Sequence, residues 1–261
     1  MAVESPPRTD SGGVTTAAAY CYGVMAADAA QARRGGGLGD APVEPVKHGE
    51  LAALTSPVSS KKVRARRADL LRHFDVVGSA FEHGMVLPLR FGIVFDDEDS
   101  LVREFLRPRH DELVDLLREL RDRVELRVTA HYREGAILGE VVRENPRIAR
   151  LREETRGARG PHPLLIELGE LVAAELRART DADARAILDR LRRLAVDVEV
   201  GDEPIEHQVL RASFLVERKH VPAFDKTMDE LAADQAGRID FKYVGPLPPH
   251  SFVSLTHGEA A

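Results

Sequence analysis

Nine residues near the middle of the chain, VELRVTAHY at 124–132, leave little freedom in local structure. Val124, Leu126, Val128, Ala130 and Tyr132 alternate with Glu125, Arg127, Thr129 and His131. A side-chain period of two is that of a β-strand with one face on a core and the other toward water or a partner. Any fold for this chain must supply a layer to cover that apolar face. The C-terminal third supplies one. Leu210, Ala212, Phe214 and Val216 share a face of a second strand. Val221, Phe224, Met228 and Leu231 stripe a helix whose Pro222 falls in the first turn, and Ile239, Phe241 and Tyr243 share a face of a last strand. A strand–helix–strand unit this compact makes its two strands parallel and its crossover right-handed.

The remaining segments read more coarsely. AAYCYGVM (18–25) is a buried strand, and ARRGGGLGDAP (32–42) a mobile loop. Weaker strands fall at 43–46 and 51–58. The spacing predicts a helix over 63–81 with Leu70, Phe74, Val77 and Phe81 on its inner face. MVLPLRFGIVF (85–95) is a strand bulged or near an edge, because of Pro88. FDDEDS (95–100) opens a helix carrying Leu101, Phe105, Leu113, Leu116 and Leu120, in which Pro108 either kinks the helix or begins another. A charged helical stretch, 134–155, leads to the Gly/Pro-rich RGARGPHP, a linker or turn. Helices at 164–179 and 184–195 follow, the second capped by Thr180 or Asp181, and VDVEV is a short strand. The order predicts an α+β protein of two domains: a disordered leader 1–17, an N-terminal α+β domain 18–133, and a C-terminal domain 134–261.

Several function classes fall away. With 43% hydrophobic and 31% charged residues the chain is globular, and its net charge of −6 supplies no basic field for nucleic acid. The one cysteine, Cys21, excludes an intrachain disulfide and a cysteine-cluster metal site. No run of residues is long and apolar enough for a membrane span, and the leader lacks the pattern of a signal peptide. His73, His83, His110, His131, His207 and His220 are scattered, without the i, i+4 pairing of a helical zinc site. RRGGGLGD runs into Asp40 and Pro42 rather than a helix N-terminus, so it is a poor phosphate cradle. KKVRARR (61–67) carries five cations but no interleaved aromatic residue; it is a solvated helix start, with contact to an acidic partner as the second reading. The serines lack a nucleophile elbow, Cys21 sits in an apolar strand, and the FDDEDS carboxylates suit capping. No catalytic, cofactor-binding or metal-binding residue is therefore nominated.

Three stretches in order, YCYGVM (20–25), VLPLRFGIVF (86–95) and YVGPLPPHSFV (243–253), with VELRVTAHY after the second, resemble the gas vesicle protein F/L family (GvpF/GvpL). The resemblance spans about 18–255. It departs at Leu247, where the family often has Trp, at His250, where it often has Tyr, and at Ile93, where it often has Thr. It implies a non-enzymatic accessory role in gas vesicle formation. The implied partners are the small shell protein (GvpA) or other accessory proteins, with localisation to the vesicle and cytoplasm. It also implies a ferredoxin-like C-terminal domain and no cofactor. The residues alone leave a small-molecule-binding or catalytic α+β protein as the alternative.

The proline corner at 245–249 reads as an architectural clasp. Gly245 releases the chain from the last strand, the prolines turn it with little entropy left to lose, and Phe252 packs back near Phe241 and Tyr243. A polyproline ligand is the rival reading. For shell binding, a half-polar strand with an open edge or an apolar groove between the domains would serve.

Overall fold

The computed structural model describes residues 17–157, 162–201 and 207–255. Most of the expected leader and the centre of RGARGPHP lie outside them. Helices and antiparallel sheets confirm the α+β class, and the chain forms two compact units: one runs through Leu117 and takes in Leu255, and the other is Arg118–Ser254.

The first unit holds β1 (Ala18–Ala26), β2 (Glu44–His48), β3 (Leu51–Val58), α1 (Arg67–Phe81), β4 (Val86–Pro88), β5 (Val94–Phe95) and α2 (Glu98–Leu101). A π-helical stretch then leads into α3 (His110–Glu119), which crosses the boundary between the units. The sheet order is β2-β3-β1-β4, with β5 also on β1. MVLPLRFGIVF is thus two short strands on one neighbour: Leu89 N–H still bonds Tyr22 O at 2.9 Å in the β4 register, Cys21 N–H bonds Ile93 O at 3.0 Å in the β5 register, and residues 90–92 turn out between them. Gly23 permits this closeness, because a Cβ there would lie 2.7 Å from Leu87 O. Asp97 caps α2 with a reciprocal pair of bonds to Ser100, and those bonds hold its carboxyl below the usual range. The inner face of α1 is His73, Val76, Val77 and Phe81, while Phe74 is 50% exposed. The helix is turned from the expected stripe because His73 has partners inside: Nε2–H donates to Leu89 O (3.2 Å) and Nδ1 accepts from Tyr20 O–H (2.8 Å).

The second unit holds β6 (Arg123–Tyr132), α4 (Ala136–Glu144), α5 (Pro146–Glu154), α6 (Pro163–Arg192), β7 (Asp197–Val200), β8 (Gln208–Glu217), α7 (Val221–Asp234) and β9 (Ile239–Leu247). The sheet order is β7-β8-β6-β9, every pair antiparallel. This is the split βαβ arrangement of a ferredoxin-like fold, with β8 and β9 parallel to each other across β6. The break expected at 133/134 separates β6 from the two strands it bonds to; the compact units divide at 117/118 instead. Nor does β6 have an open edge, since it lies between β8 and β9.

Two further expectations change. The helices at 164–179 and 184–195 are one helix, α6, with Thr180 and Asp181 inside it. No glycine or proline interrupts 170–192, and Asp183 is engaged elsewhere than at a cap. Its carboxylate accepts from Arg238 Nη2 (2.7 Å) and Tyr132 O–H (2.5 Å), while Arg238 Nε reaches Glu140 (2.8 Å). That ionic cluster ties α4 and α6 to the ends of β6 and β9. The last strand, in turn, runs on past Gly245 to Leu247. Gly245 is the pivot: φ is +159°, and a Cβ there would meet Leu126 Cδ2 at 2.6 Å.

Candidate interaction surfaces

Of the three family-like stretches, 20–25 is buried throughout, while 86–95 and 243–253 combine buried residues with exposed ones. In the first unit, Leu38 N–H donates to Tyr22 O–H (2.8 Å), Tyr22 to Ser56 Oγ (3.0 Å), and Ser56 to Pro42 O (2.7 Å). This relay pins the glycine-rich segment 35–41, and Arg33 and Val43 bridge its base, so it is an ordered loop rather than a mobile one. Burial pushes both phenols, Tyr20 and Tyr22, up.

In the second unit, Glu125 is fully buried on the face of β6 expected to meet water or a partner. Its carboxylate accepts from Arg127 Nη2 (2.6 Å), Ser213 Oγ (3.0 Å), Ser251 Oγ (2.9 Å) and Ser251 N–H (2.7 Å). The last two bonds come from the far side of the proline corner, where Pro248, Pro249 and Val253 are buried. The corner therefore closes over a carboxylate, which resolves what it holds. Phe241 and Tyr243 do lie on the core face, but β9 is an edge strand, so both are half-buried. Tyr243 stacks on Phe224 with ring centroids 5.8 Å apart and donates to Asp225 at 2.6 Å.

The residues weighed for chemistry stay apart. Cys21 is buried, its thiol pushed up to about 12 by lost hydration, which suits an inert side chain. His73 is a core hydrogen-bonding group, His110 lies against Asp111 (3.0 Å), and His220 faces Glu217 (3.6 Å). Among the described residues no group of three or more His, Cys, Asp or Glu could hold a metal. The basic run 61–66 precedes α1 as exposed coil, with Lys61 paired to Asp96. A concavity of about 400 Å³ lies beside Ala18, Glu44, Ser56 and Asp97–Asp99. Its Ser56 and Thr55 hydroxyls are spent on the carbonyls of Pro42 and Glu44, and Asp97 on its cap.

What remains is surface, and the sheet edges are its most structured part. β2, β4, β7 and β9 each hydrogen-bond to one neighbour among the described residues. A model of the family described as "Gas vesicle synthesis protein GvpL/GvpF" matches residues 18–254. The chain belongs to the GvpL/GvpF family. Gas vesicle protein F of Streptomyces sp. (strain CB03234) is 37% identical over 240 residues, covering 90% of this chain and 98% of the relative. Gas vesicle protein L of the same strain is 30% identical, covering 84% and 86%. The crystal structure of GvpF from Anabaena sp. PCC7120 superposes with a TM-score of 0.80 at 23% identity, over 93% of this chain and all of that one. GvpF from Microcystis aeruginosa gives 0.74 at 22%, over 92% and 100%. Membership supports a role in gas vesicle formation, and the family is not a known enzyme family. No helix among the described residues is long and apolar enough to cross a membrane.

Sequence reasoning missed the burial of Glu125, the Asp183 cluster and the pinned loop. Only the serine at 251, six residues past a strained glycine, hinted at the first.

Proposed function

We propose that the protein binds the small gas vesicle shell subunit (GvpA-type), or another vesicle accessory protein, during assembly in the cytoplasm, and catalyses no reaction. The family match across 18–254 is the observation that supports this most. The physical need is plain: a shell subunit with one face toward gas carries apolar surface that aggregates in water unless covered. The chain offers folded surface for such cover. Its thiol is buried, and its buried Glu125 carboxylate is spent on four hydrogen bonds within the fold.

Co-expression with a shell subunit and affinity capture of the tagged chain tests this. Co-purification under conditions where vesicles form is expected. Failure to capture any vesicle protein under those conditions overturns it.

A further inference from the structure

Among the described residues five strands bond to a single neighbour; Pro45 interrupts β2, Pro88 β4 and Pro246 β9, and β5 is only two residues long. Proline, short length and charge are the usual means of blunting an edge against pairing. β7 is short and charged but has no proline, so its backbone can still take a further strand.

Its register shows what that strand would meet. Gly201 N–H donates to Arg211 O at 2.8 Å. Bonding alternates along an antiparallel pair, so Glu199 and Asp197 face β8, while Val198 and Val200 turn their N–H and C=O groups outward. Val198 N–H is occupied by the Asp197 carboxylate at 2.8 Å, a contact that an incoming carbonyl can replace. Val198 stands opposite Phe214 and Val200 opposite Ala212, so both valines continue the core face to its rim; Val200 is 48% exposed. Asp197 stands opposite Leu215 and Glu199 opposite Ser213, on the other face. An added strand therefore meets apolar side chains on one face and two carboxylates on the other.

A second copy of the chain fits badly. Antiparallel self-pairing centred on Val198 sets Asp197 against Glu199, and centring on Glu199 sets that residue against itself. Centring between them places valine opposite glutamate. Like charges directly opposite are destabilising, and the mixed register loses the apolar match. We propose that β7 is a docking edge for an extended segment of another protein in which apolar residues alternate with lysine or arginine. This rests on the protein-binding reading above and names the surface and the chemistry of the partner segment.

The test uses the full chain and fluorescence anisotropy with a labelled hexapeptide of alternating valine and arginine. Two controls accompany it: the same composition with the arginines clustered, and an alternating valine–glutamate peptide. The alternating basic peptide should bind at least tenfold more tightly than either control, and more weakly as salt rises. Val200→Pro should abolish binding with little change in melting, because the N–H it removes faces away from β8. Glu199→Lys, an exposed change, should shift preference toward the acidic peptide. Equal binding of the clustered peptide, or binding unaffected by Val200→Pro, means attraction by charge alone and overturns the proposal. The two readings fail separately. A chain that binds the peptide but captures no vesicle protein refutes the function and leaves the edge. Capture that survives both substitutions, without peptide binding, refutes the edge alone.

Discussion

The first unit buries Tyr20, His73, Tyr22 and Ser56, a cluster that holds no carboxylate and is linked by O–H and N–H donors to backbone carbonyls and amides. The second buries Glu125, a charge, and satisfies it with Arg127, Ser213 and the Ser251 backbone and hydroxyl. The first cluster draws its partners from residues 20–92, in the sheet, α1 and the loops beside them. The second depends on a segment 126 residues away in sequence. A buried carboxylate is costly unless every lone pair finds a donor, so it makes the unit depend on the chain's C-terminal corner being in place. The corner is thereby part of the fold's closure, and the second unit is the one sensitive to loss of its end.

The largest way to break the comparison is Glu125→Ala. Removing one partner of a fully buried pair costs about 3–5 kcal/mol; Arg127 is about a third exposed and can rehydrate, which lowers the expectation to about 2–4 kcal/mol. Chemical denaturation should show this loss in the second unit's transition, with the corner released to proteases. Tyr20→Phe is the matching change in the first unit. It takes the partner from Gly92 N–H and one partner from His73, for about 1–3 kcal/mol. Ser251→Ala leaves the backbone bond to Glu125 and loses only the hydroxyl, for about 1 kcal/mol.

The smallest effect is read in pH. Lost hydration holds the His250 imidazole below its ordinary 6.5, with Glu125 opposing and Arg127 adding to the shift. The unfolded chain therefore takes up the proton first as pH falls. The contribution of neutral His250 is fully present above 6.5 and is lost as pH drops through that value toward the folded-state one. Asp240 and His131 lie along the same two strands, but Glu125 and Arg127 are the charges that act on His250. His250→Gln should change the melt little near neutrality and flatten its decline on acidification, read from melting temperature against pH.

Much of the fold was legible because period two and period 3.6 are local properties. The β6 alternation, the Phe224–Met228–Leu231 stripe and the β8 face all appear where the residues place them. What local pattern cannot say is which distant segment covers a face. Glu125 read as solvent-facing because alternation assigns sides, and only the corner's return buries it. Phe74 read as core because an aromatic outranks a histidine on hydrophobicity, until Tyr20 and Leu89 give His73 its partners. Thr180 and Asp181 read as a cap by residue type, although nothing nearby breaks the helix. β6 read as part of the first domain because its strand partners, β8 and β9, lie far along the chain. For the candidate surface, VDVEV showed the alternation of β7 but not that β7 would be an edge strand.

The central claim is that the family-like corner holds the fold together and does not itself recognise the partner. The most direct measurement is capture of a co-expressed shell subunit by the Ser251→Ala chain, taken in the cold alongside its melting curve. The account predicts a melting point lower by about 2–4 °C per kcal/mol lost, with capture equal to that of the unsubstituted chain. An unchanged melt with capture lost would make the corner the recognition element and contradict the account.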